Sequence, residues 1–143
     1  MIAAPFSDLE EAITDEAWFI EAKDRDPRPE ETRQIAVLRD ANMLCPAVAI
    51  FAVPNGGKRS QWAAMKAKRE GMRAGVLDLV ATWPGGGIAF IEMKNGTDMP
   101  DANQRERLNM LVRQSHHCGV FRSARTVLEA LRSWGAPFVG WYS

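Results

Sequence analysis

The spacing of apolar positions along the chain switches between the period of a helix and that of a strand. From Ser7 to Ala22, the residues Leu9, Ile13, Ala17 and Ile20 recur at helical spacing behind a capping serine and a crowd of acids, which predicts a helix over 7–22. Pro27 and Pro29 break it, leaving 24–29 as a short linker. A second helix is expected from near Pro29 to about Asn42, burying Ile35, Leu38 and Ala41. Ala47 to Val53 is a short, β-branched apolar run, hence a buried strand, ended by Pro54-Asn55-Gly56-Gly57. Ser60 then caps a basic helix, Gln61 to Glu70, which Gly71 terminates. Val76–Trp83 and Ile88–Lys94 form a hairpin about a glycine-bearing connection. A helix follows over Asp101–Gln114, with Leu108, Leu111 and Val112 on its apolar side. Gly119–Arg122 is a short strand, and a last helix, Ala124–Trp134, is stopped by Gly135 and Pro137. This order is that of an α/β chain with a mixed sheet flanked by helices.

Composition narrows the class. The 143 residues are 46% hydrophobic and 25% charged, the balance of a folded domain rather than a disordered chain. At this length about two-thirds of the unfolded surface can be buried, enough for one core without staples. The longest apolar runs, 45–53 and 86–91, fall far short of the roughly 20 residues of a membrane helix, so no membrane partner is expected. Acids rather than a basic region border Met1–Phe6, which argues against a secretory leader. Two cysteines, Cys45 and Cys118, provide neither a disulfide framework nor a metal spacing, so a reducing cytoplasm is the expected compartment. The zero net charge hides an asymmetry. The first 40 residues carry 11 acids against 5 bases, and the remainder carries 13 bases against 7 acids. The basic residues are densest from Lys58 to Arg73, including Lys66, which suits either a polyanion partner or a solvated helix face.

The hairpin carries the candidate chemistry. Side chains two residues apart on a strand share a face, so Glu92 and Lys94 point the same way. An odd connection that pairs Thr82 with Ile88 sets Asp78 opposite Glu92, with Cβ atoms about 5 Å apart. An even one sends the two carboxylates to opposite faces. Two carboxylates that close repel unless a cation lies between them. A hard divalent ion with oxygen ligands, Mg²⁺ or Mn²⁺, answers that demand. Lys94 would then be a fixed positive charge beside a scissile phosphodiester. Taken alone, an Asp followed by Glu-x-Lys is a weak signal that occurs by chance, and a solvated ion pair at a hairpin end is the favoured reading.

The segments VPNGGKRS (53–60), GMRAGVLDLV (71–80) and AFIEMK (89–94), in that order and spacing, resemble the virus-type replication-repair nuclease (VRR-NUC) domain of the PD-(D/E)xK superfamily. The resemblance spans roughly residues 29–135 and is similar to the stand-alone phage and bacterial type. It implies a restriction-endonuclease-like fold over 29–143 behind an acidic N-terminal helical extension, 1–28. It further implies a Mg²⁺- or Mn²⁺-dependent endodeoxyribonuclease in the cytoplasm of a bacterial host, a homodimer that cuts branched DNA such as four-way junctions. In that pattern Asp78 and Glu92 are the metal carboxylates, with the Met93 carbonyl as a backbone ligand. Lys94 is the catalytic lysine, and Gln104 positions site groups. The upstream helical glutamate is Glu30, four residues before Gln34, with Glu31 as the alternative. Asn55, Gly56, Gly57, Lys58 and Arg59, with Lys66 and Arg73, would contact DNA phosphates, and Trp62 is the one tryptophan placed to stack on a base. One departure is visible: Leu77 stands where the family usually has proline before the aspartate. The competing expectation is a binding module that uses the same fold to hold DNA or a replication partner without cutting.

Overall fold

The computed structural model describes residues 17–54, 60–73 and 75–143. Among these, the elements in chain order are β1 (Phe19–Ile20), α1 (Glu30–Leu44), β2 (Ala49–Ala52), α2 (Gln61–Arg69), β3 (Leu79–Trp83), β4 (Gly87–Met93), α3 (Ala102–Arg113), β5 (His117–Phe121) and α4 (Ala124–Ser133). The five strands form one mixed sheet in the order β1-β5-β4-β3-β2. β2, β3 and β4 are antiparallel neighbours, and β4, β5 and β1 run parallel. The parallel β4–β5 step needs a crossover, which α3 provides. The chain is therefore α/β, a five-stranded mixed sheet flanked by helices. No helix among the described residues is long and apolar enough to cross a membrane.

The helix starts follow from local chemistry. Ser60, Asp101 and Ser123 each accept the backbone N–H three residues on, capping α2, α3 and α4. The sheet buries both faces, and alternate residues of β3 and β4 face opposite layers. Leu79, Ala81, Ala89, Ile91 and Met93 pack under Val37, Ala41 and Leu44 of α1 and Val127, Leu128 and Leu131 of α4. On the other face α3 is the main cover, with Leu108 and Leu111 against Val120, Cys118 and Phe90. α2 buries only Ala67.

Three expectations fail, the first two where a long-range partner outranks the local pattern. The helix expected over 7–22 does not run through its described end. Phe19–Ile20 is a strand instead, parallel to β5, with Phe19 stacked on Phe121 at 5.1 Å between ring centroids; residues 7–16 lie outside the described residues. α1 forms, but Ile35 and Leu38 are exposed. Its buried stripe includes two charged residues, Arg33 and Asp40, and Asp40 accepts from Tyr142 Oη (2.7 Å) and Arg39 Nε (3.0 Å). A stripe read by hydrophobicity alone is therefore rotated away from the true one. The third is β2, expected to be buried: it is an edge strand with Ala49, Phe51 and Ala52 exposed.

Candidate active site

The hairpin turns through Pro84-Gly85-Gly86, an odd connection in which both glycines adopt positive φ (93° and 86°) that other residues resist. Thr82 pairs with Ile88 and Leu79 with Ile91. Continued by one residue, that register sets Asp78, just outside β3, across from Glu92 near the end of β4. The two carboxyls do meet. Asp78 N–H donates to Glu92 Oε1 at 3.2 Å, and Met93 N–H donates to Asp78 Oδ2 at 2.9 Å. Lys94 N–H turns the other way, to Phe121 O on β5 at 2.8 Å. Because the N–H and C=O of one strand residue project to the same edge, the Met93 carbonyl is aimed to the Asp78 side.

Lys94 and Gln104 complete the surroundings of Glu92. Lys94 Nζ lies 3.5 Å from Glu92 Oε2, with the lysine side chain 15% and the glutamate side chain 1% exposed. Gln104 Nε2 donates to the same Glu92 oxygen. A capping box at the start of α3 orients that amide: Gln104 Oε1 accepts from Asp101 N–H at 3.0 Å, and Gln104 N–H donates to Asp101 Oδ1 at 2.9 Å. With Oε1 occupied by the cap, the NH₂ end is left to face Glu92. Gly75 (φ +77°) lets the chain leading to Asp78 press against this helix start, since a Cβ there would lie 2.3 Å from Asn103 O.

Glu30, the first residue of α1, reaches the same cluster. Burial raises its pKa, the Asp78 charge raises it further, Lys94 opposes the shift, and a hydrogen bond with the Asp78 side chain adds to the rise. Glu92 is driven harder, up to about 9, by burial first and then by the charge of Asp78 and a bond to its side chain, with Lys94 again opposing. Glu31 is exposed. Three carboxyls thus gather about one ammonium, an excess of negative charge that a divalent cation would offset.

Among the described residues no three Asp, Glu, His or Cys side chains stand arranged as a metal cage. Mg²⁺ does not need one, because it keeps several waters and takes one or two carboxylates. Asp78 and Glu92 with the Met93 carbonyl are an all-oxygen set of that kind, so the residues fit the ion.

The basic residues separate into two groups. Asn55, Gly56, Gly57, Lys58 and Arg59 lie outside the described residues. Lys66 is exposed on α2, 3.7 Å from Glu70 and over the Trp62 ring at 5.6 Å; Arg73 donates to Lys68 O and Met72 O. Trp62 is 68% exposed. His116 and His117 diverge as adjacent residues must, one edge-on to Phe90 and the other stacked on Trp134.

Residues that sequence reasoning missed lie beside the site. Arg33 and Arg122, buried at 2% and 1% exposure, tie the chain before α1 to the loop after Lys94. Arg122 donates to the carbonyls of Glu21, Asn95 and Asp98, and Arg33 Nη1 to Arg122 O. Together they fix where Glu30 and Lys94 stand. The available signal was an arginine closing an otherwise apolar strand, Cys118-Gly119-Val120-Phe121-Arg122.

Comparisons of the chain with protein-family models, with curated proteins and with solved structures return no match.

Proposed function

We propose that the chain is a Mg²⁺- or Mn²⁺-dependent endodeoxyribonuclease with a restriction-endonuclease-like fold, of the VRR-NUC type its motifs resemble. The observation that carries this reading is the meeting of Asp78, Glu92, Lys94, Gln104 and Glu30 at one end of the β3–β4 hairpin. When bound, the ion would supply positive charge at the phosphodiester and an activated water.

The protein's own groups divide the remaining work. Asp78 and Glu92 would hold the ion, with the Met93 carbonyl on the same side. Lys94, 3.5 Å from Glu92, holds a positive charge where negative charge builds on the transferring phosphoryl oxygens. Gln104 fixes the Glu92 carboxyl through its amide, and its own position is set by the α3 cap. Glu30, protonated more readily than an ordinary glutamate, stands beside Asp78 as a proton donor or acceptor.

The substrate proposed is branched DNA such as a four-way junction, cut by a homodimer in the cytoplasm of a bacterial host, since two symmetric cuts call for two sites. The exposed helix α2, with Lys66, Lys68 and Arg69 in its last turn, supports a polyanion partner. The test is cleavage of linear, flapped and four-way DNA by the full chain. Product is expected with Mg²⁺ or Mn²⁺, none in excess EDTA, and preference for the branched forms. Cutting undiminished in chelator overturns the mechanism, and tight binding without cutting under any divalent ion favours the binding module.

A further inference from the structure

The two faces of the sheet are covered unequally. α1 and α4 both pack on one face, whereas α3 is the main cover of the other and α2 contributes only Ala67 to burial. A helix with its side chains is about 10–12 Å across and strands are spaced by about 4.8 Å, so a single helix leaves part of a five-stranded face open. Over that part lies a cavity of about 760 Å³. Leu77, Val80 and Phe90 give it apolar lining, Arg73 and Arg107 are balanced by Glu70 and Asp101, and Gln104 belongs to both the cavity and the carboxylate site.

We propose that this cavity receives one unpaired nucleobase adjoining the phosphodiester held at Asp78 and Glu92; the proposal rests on DNA being the substrate. Position is the first argument. The lining begins at Leu77, next to Asp78, and at Gln104, which touches Glu92, so a phosphate at the carboxylates presents its neighbouring base to the opening. Chemistry is the second. A base offers two apolar faces and a polar edge, which matches an apolar lining that includes one aromatic ring and a set of amide and guanidinium donors. The volume lies within the range of small-ligand sites, about 300–1,000 Å³, which leaves ample room for an extruded base and none for a stacked duplex. The site would thereby prefer DNA in which a base is already unstacked, as at a flap or branch.

The test places 2-aminopurine at one position at a time in a flapped oligodeoxynucleotide and records its fluorescence on adding the full chain in EDTA. A saturable change at a single position is expected. Met110→Trp fills the cavity from α3, and Gln114→Trp narrows it from an exposed position that leaves the core untouched. Each should abolish the change and weaken binding roughly 5- to 150-fold, the range for losing one stacked base. A change at no position, or one undiminished in both variants, overturns the proposal. Fluorescence intact in a chain that never cuts DNA with Mg²⁺ supports the pocket and sinks the nuclease reading. Cutting with no fluorescence change sinks the pocket alone.

Discussion

Two buried polar clusters lie close together in this fold and are built on opposite principles. At the first, Arg33 makes five hydrogen bonds, to both oxygens of Asp24 and to the carbonyls of Asp26, Arg28 and Arg122, matching the five donors of a guanidinium. Arg122 beside it reaches three carbonyls and Met99 Sδ, and Glu21 accepts from the N–H of Arg122 and Ser123. At the second, Glu30, Asp78 and Glu92 face one lysine, and two of the three carboxyls are shifted toward the protonated state. A buried charge with all its partners in place holds a fold together. A buried cluster with charge in excess of one sign is electrostatically incomplete, and incompleteness of that kind is what a cationic ligand can use.

The largest expected effect tests the first half of that contrast. Arg33→Met leaves Asp24 and three carbonyls without their donor and should cost about 3–5 kcal/mol in urea denaturation. Glu92→Gln, made at equal burial, should leave stability unchanged or raise it at neutral pH, because the amide is neutral without the proton uptake that burial and the Asp78 charge impose on Glu92. If both substitutions destabilise equally, the two clusters are not different in kind.

Next in size is a change in chemistry without a change in fold. Lys94→Ala should lower kcat about 10²–10³-fold, the usual consequence of losing one preorganised group at developing charge. Its urea midpoint and DNA affinity should stay near those of the parent chain. A loss that falls on affinity alone would make Lys94 a binding residue.

The clusters should also respond to pH with opposite sign. Glu92, at about 9 in the folded chain against an ordinary 4.5, keeps a proton that the unfolded chain releases. Its stabilisation is complete below pH 4.5 and is lost as pH rises toward 9, at up to about 1.4 kcal/mol per pH unit. Asp24 is held below its ordinary 3.8, chiefly by its bond from Arg33, so its contribution is present above that value and is lost as pH falls through the lowered one. Urea midpoints measured in EDTA from pH 3 to 9 should therefore fall at both ends. Glu92→Gln should flatten only the alkaline limb.

The smallest effect concerns the exposed basic helix, which belongs to neither cluster. Lys66→Ala with Arg73→Ala should change stability by no more than about 0.5 kcal/mol. If both side chains touch phosphate, the salt dependence of duplex binding should become shallower by about 0.9 per lost contact. An unchanged slope would place the DNA face elsewhere.

The geometry at the hairpin was legible because it is local. A period of two, a short odd connection and glycines that accept positive φ are enough to set Asp78 across from Glu92, and the Asp101–Gln104 cap is likewise a short-range pattern. The same holds for α2, whose capping serine, Ser60, could be read directly. β1 was not legible, because two residues become a strand only when β5 offers its edge. Nor was the buried stripe of α1, which is defined by Arg33 and Asp40 meeting partners that lie elsewhere along the chain.

The sequence by itself determined the mixed α/β order, the shared face of Glu92 and Lys94 and the residue types of the candidate site, since each depends on neighbours a few positions apart. The tertiary structure alone decided that Glu30 stands beside Asp78, that Gln104 reaches Glu92, and that one sheet face keeps a cavity next to them. The physical reason is burial. A carboxylate in water is an ordinary acid at any point in a chain. Glu92 becomes a distinctive one because the fold removes its water and places Asp78, Glu30 and Lys94 around it.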